Sequence, residues 1–245
     1  MHKNLEICAG DYVSALAASK GGADRIELCS GLGEGGLTPS LALIEESIKL
    51  QNIKVHVLIR PRPGDFLYSD EECDIMVRDI ELAIKAGADG VVVGCLRPDG
   101  EIDPVKLSMF VQAAKGKSVT FHRAFDVCKN PFEAVKIIED CGCNRILTSG
   151  QASTAEEGIP VLRELAKTSG DKLTIMAGCG VIPGNALRIL EESGVREIHA
   201  SARMKRPSLM EYRHKGVSMG KTDYDEYSIA ETSEDIVRQL RNILD

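Results

Sequence analysis

A chain of 245 residues with 43% hydrophobic and 27% charged side chains excludes a disordered or fibrous protein and matches the roughly 250 residues of one closed eight-stranded α/β barrel. Its formal net charge of −7 supplies no basic field for a polyanion, which argues against nucleic acid or an anionic membrane as partner. Eight cysteines are too sparse for a disulfide scaffold and read as thiols of a reducing compartment.

In chain order, the N-terminal MHKNLEICAG lacks the apolar core of a secretory signal, and no apolar run is long enough to span a bilayer, so a cytoplasmic protein is expected. Short β-rich runs are predicted near Leu5–Cys8, Arg25–Cys29, Val55–Arg60, Gly90–Gly94, Val119–His122, Arg145–Ser149, Leu173–Ala177 and Glu197–Ser201. Amphipathic stretches between them imply a parallel sheet, hence a single-domain TIM (β/α)8 barrel over residues 1–245. The even-numbered strands share an entry with Gly22, Gly87, Gly142 or Gly194 just ahead, predicted to be left-handed residues that end a helix. The odd strands follow Lys3, Lys54, Lys117 and Lys172, giving a repeat of roughly 50–65 residues that fits a quarter-barrel.

Thr38-Pro39 and Asn130-Pro131 are predicted helix starts, as is the acidic run Asp70-Glu71-Glu72. Residues 203–230 read as the longest irregular connection, expected to fold over the barrel mouth before a helix at Ser233–Leu240.

Side chains alternate along a strand, so Glu6 and Cys8 share one face, as do Glu27 and Cys29 on the next strand. Unpaired carboxylates are costly against the helices, so both Glu-x-Cys pairs are expected to point into the barrel near its top, with Arg60 and Arg62 neutralising them. His122, Arg123 and Asp126 follow at the end of the fifth strand. Gly178, Gly180 and Ser201 occupy the loops after strands seven and eight, where barrels commonly hold phosphate.

The strings LEIC, GADRIELCS, GGLTPS, IRPRPGDFLYSD, TFHRAFD, LTSGQ, MAGCGV and YRHKGVSM, in this order, resemble the CutC family of copper homeostasis proteins from Leu5 to about Tyr227. The resemblance implies a cytosolic barrel, often a homodimer, that binds Cu(I) through cysteines mapping onto Cys8 and Cys29. Ala9 stands where some relatives carry a further cysteine. Cu(I) is soft and favours thiolates, and adjacent strands lie about 4.8 Å apart, so the two thiols can share one ion.

A second reading of the same mouth is an enzyme acting on a small anionic or phosphorylated metabolite. Here Glu6, Glu27, Arg60, His122 and Asp126 form the catalytic group, His122 being the acid/base oriented by Asp126. Arg62, Arg123, Gly178, Gly180 and Ser201 would bind the anion. Cys141 and Cys143 lack zinc spacing and read as a cap and a core contact. Cys73, Cys95, Cys128 and Cys179 read as packing or loop residues, and Met204, Met210, Met219 and His214 match no ligand template.

Overall fold

Alternation decides which half of each strand faces the helices. In β1 (Asn4–Ala9), Leu5, Ile7 and Ala9 join the outer core, as do Ile26 and Leu28 of β2 (Arg25–Leu28) and Val55 and Val57 of β3 (Lys54–Leu58). The intervening residues turn to the barrel axis, where Cys8, Cys29, Leu58 and Val92 form a separate apolar cluster. A one-residue slip would exchange the two sets, so the register is tightly specified.

The computed structural model describes residues 2–169, 173–214, 216–217 and 225–245. Lys172 and Met219 lie outside the described residues. The remaining barrel strands are β4 (Gly90–Val93), β5 (Ser118–Phe121), β6 (Arg145–Thr148), β7 (Thr174–Gly178) and β8 (Glu197–Ala200), and β1 to β8 close in sequence order with every neighbour parallel. Helices α1 (Tyr12–Lys20), α2 (Leu41–Ser47), α3 (Asp70–Ala86) and α4 (Pro104–Ala113) cover half of the outer face. The other half is covered by α5 (Pro131–Asp140), α6 (Ile159–Thr168), α7 (Pro183–Ser193) and α8 (Glu234–Leu244). The predicted TIM barrel is therefore the observed fold, and the four even-strand glycines all have positive φ.

Asn130 caps α5 with Pro131 in its first turn, and the acidic run opens α3 behind a Ser69 capping box. The Thr38-Pro39 start is corrected: α2 begins two residues later, capped by Ser40, because the Thr38 hydroxyl instead accepts the Arg60 N–H at 2.9 Å. In the 203–230 segment, only the reading of the two ends changes. Its ends pair as an antiparallel ribbon, β9 (Arg203–Pro207) with β10 (Ser228–Thr232), and β10 is tied to α1 by the Thr232 N–H donating to Ser14 Oγ at 3.1 Å. The ribbon thus leans on the barrel's side, and among its described residues Arg203 alone reaches the mouth.

Beneath the mouth, the axis is filled by charge where such barrels usually stack aliphatic layers. Arg25 bonds Glu6 through Nε and Glu197 through Nη2, the latter at 2.6 Å, and Arg145 Nε reaches the same Glu197 carboxylate at 2.5 Å. Arg25, Glu6 and Glu197 are all buried, so each charge depends on its partners for the solvation that water would give. Arg25→Met is expected to leave buried Glu6 without an arginine and Glu197 with Arg145 alone, costing about 3–5 kcal/mol, measurable as a lowered urea midpoint with an unchanged slope.

Candidate functional site

Above the ion cluster, β1, β2 and β8 bring three different donors together. Cys8 lies beside Glu27 in the strand register, and Glu6 beside His199. One ligand atom each from Cys8, Glu27 and His199 falls within 4.8 Å of the others. His199 Nδ1 lies 2.8 Å from Glu6 Oε1, and its Nε2 faces Glu27 Oε2 at 3.9 Å. Glu6 therefore sets the ring's orientation, leaving Nε2 for whatever the other two donors bind.

The Cys8 and Cys29 sulfurs are 3.7 Å apart, so the two thiols do meet across β1 and β2. Cys29 is fully buried, donates to the Ala9 carbonyl at 3.5 Å and backs Cys8 from behind. With metal–sulfur bonds of about 2.3 Å, sulfurs at this spacing subtend about 107° at a shared ion, close to a tetrahedral angle.

Electrostatics couple the cluster. Burial opposes ionisation of Glu6, but the Arg25 guanidinium and the His199 ring outweigh it and hold the carboxyl well below the usual range. Burial also opposes charge on His199, yet its hydrogen bonds to Cys8 and Glu6 and the field of Glu27 raise its pKa well above the ordinary imidazole value. Glu27 lacks an arginine of its own and is pushed by burial up to about 8. The hydrogen bond with Cys29, together with burial, raises the Cys8 thiol well above its usual value.

These donors floor a chamber of about 320 Å³ that opens at the carboxyl ends of the strands. Leu32, Leu58, Phe66, Leu147 and Ile182 give it apolar walls, and His122, Arg123, Ser201 and Arg203 add polar groups. The buried His122 and the half-buried His199 need glycines beside them. A Cβ on Gly94 would sit 2.3 Å from His122 Cε1, and one on Gly178 would sit 3.2 Å from His199 Cβ and 2.5 Å from Leu147 Cδ1. Gly178 thus makes room inside the barrel and does not line the chamber, whereas Gly180 and Ser201 do.

Several expected roles change. Arg60 does not neutralise the Glu-x-Cys carboxylates: its guanidinium donates to the carbonyls of Glu34, Gly36 and Gly64 at 2.9, 3.0 and 2.7 Å and lies over Phe66, stapling two loops. Arg62 points away to Glu72 and Asp65 near the start of α3 and is not a chamber residue. Asp126 does not orient His122. It accepts from Arg123 Nε at 2.7 Å, from the Ser149 N–H and from the Thr148 hydroxyl, while His122 Nδ1 accepts the Ala124 N–H at 3.1 Å.

The residues missed are His199, Arg25, Arg145 and Glu197. Counting back by twos from Ser201, read as a loop residue at the mouth, reaches His199 and Glu197, so a signal existed in the alternation. Cys179, read as a loop residue, is one, at φ 83° with its thiol donating to the Ser153 carbonyl at 3.2 Å. Cys141 caps α5 and Cys143 is buried, as read.

Burial pushes the His122 and His56 imidazoles down to about 3, with nearby arginines adding to the effect. Nitrogen-15 NMR of the rings is expected to find both neutral at about pH 5 and His199 still charged at about pH 7; a neutral His199 there would contradict the geometry.

Comparison with known proteins gives a consistent result. The sequence profile of the CutC family matches residues 3–204. A CutC family protein of Chromobacterium violaceum is 47% identical over 245 residues, covering 100% of this chain and 99% of its own length. One from Bacteroides fragilis is 51% identical over 219 residues, covering 89% and 87%. The crystal structure of CutC from Streptococcus agalactiae, which is named provisionally for copper homeostasis, is 32% identical with a TM-score of 0.78, covering 81% of this chain and 98% of that one. The chain therefore belongs to the CutC family.

Proposed function

We propose that this protein handles copper, taking Cu(I) at the barrel mouth as cargo. The observation that carries the reading is the convergence of Cys8, Glu27 and His199 within 4.8 Å on the chamber floor. Thiolate and imidazole suit a copper ion, while the carboxylate is a harder donor that neutralises its charge. Cys29, at 3.7 Å from Cys8, is the reserve sulfur that the family resemblance pairs with it. Glu6 acts on His199 rather than on the ion, in the manner of the carboxylates that orient metal-binding imidazoles.

No helix among the described residues is long and apolar enough to cross a membrane. We read the protein as cytoplasmic, where copper is Cu(I), and as a homodimer on the family resemblance.

Competition with a Cu(I) chelator tests the site. Cys8→Ser is expected to lose on the order of 100-fold in affinity, Cys29→Ser less, and Glu6→Gln about 10–100-fold through misorientation of His199. Wild-type affinity in both Cys8→Ser and His199→Ala would rule the site out.

The pH dependence follows from proton competition. Cys8, Glu27 and His199 all have raised pKa values, so binding must displace protons and is favoured as they leave. Apparent Cu(I) affinity is expected to rise from about pH 6 to about pH 9, with proton release detectable in weakly buffered solution. A flat profile would contradict a site built on these donors.

A further inference from the structure

We propose that the mouth chamber also binds a small organic anion, held with its carboxylate or phosphate end at Arg123 and Arg203 and its body against the apolar wall, next to the metal donors. This inference rests on the copper reading only for what lies beside the ligand.

The first observation is size. A chamber of about 320 Å³ is roughly ten times the space one water takes in the liquid, about 30 Å³. It falls at the lower end of small-molecule pockets, about 300–1,000 Å³. A lone ion needs only the corner formed by Cys8, Glu27 and His199.

The second observation is the wall. Leu32, Leu58, Phe66, Val181 and Ile182 present apolar surface to the chamber, which neither a metal ion nor a bare inorganic anion would use. An organic body would remove that surface from water.

The third is the charge at the rim. Arg123 is fixed by Asp126 and by Ser149 Oγ at 3.3 Å, contacts that leave N–H donors to spare. Arg203, exposed at the start of β9, is engaged by no carboxylate among the described residues. Three arginines line the chamber of a chain of net charge −7; Arg60 is spent on backbone carbonyls, and Arg123 and Arg203 keep N–H donors of the kind that bind oxyanions.

Calorimetric titration of the metal-free full chain tests this, with glycerol 3-phosphate and butyrate as probes and inorganic phosphate as the probe without a body. One of the first two is expected to saturate at one equivalent, at least about tenfold more tightly than inorganic phosphate, and Arg203→Gln to weaken it about tenfold with an unchanged melting temperature. Saturation by glycerol 3-phosphate assigns the phosphate class, and saturation by butyrate the carboxylate class. Failure of both to saturate, or wild-type affinity in Arg203→Gln, overturns the proposal. Chelator competition on the same preparation separates the two ideas. Normal Cu(I) uptake without anion uptake overturns this inference alone, and anion uptake without Cu(I) uptake overturns the copper reading alone.

Discussion

Arg25 is the residue on which the rest of the interior depends. It reaches from β2 across β1 to β8, holding the Glu6 and Glu197 carboxylates inside a closed barrel. Three charges removed from water would each cost several kcal/mol if left alone, so the cluster is stable only as a hydrogen-bonded unit. The barrel therefore closes around a fixed pattern of charge, and the mouth inherits its geometry from that pattern.

The inheritance runs through Glu6. One of its oxygens is occupied by Arg25, and the other lies 2.8 Å from His199 Nδ1. An ionised Glu6 thus orients the imidazole, and the imidazole turns Nε2 toward Glu27 and the Cys8 corner. Removing solvent makes this chain of contacts strong, because Glu6 is fully buried and the His199 side chain is only 12% exposed, so each has little alternative hydration. It also explains why two glutamates in identical Glu-x-Cys strings behave so differently. Glu6 meets an arginine and is held ionised, while Glu27 meets none and is raised to about 8.

The loops supply a second layer. Arg60 ties the loops after β2 and β3 through three backbone carbonyls, and Asp126 gathers Arg123, Thr148 and Ser149 after β5 and β6. These residues look catalytic by type, yet most of their polar capacity is spent on building the walls. What remains open to a ligand is the donor corner on the floor and the two guanidiniums at the rim.

Strand periodicity and the recurring Gly entry were sufficient, from sequence alone, for the eight-stranded barrel and the inward face of Glu6, Cys8, Glu27 and Cys29, while the family resemblance rested on the ordered strings from LEIC to YRHKGVSM. These properties are local: a period of two and a left-handed glycine are written in consecutive residues. Which carboxylate meets which cation was decided only by closure, since Arg25, Glu197 and Arg145 come from β2, β8 and β6, and β1 pairs with β8 across nearly the whole length of the chain. The same closure brought His199 to Cys8, turned Arg60 to backbone carbonyls and left Arg62 outside. Such contacts depend on the stagger between distant strands, which no run of neighbouring residues encodes.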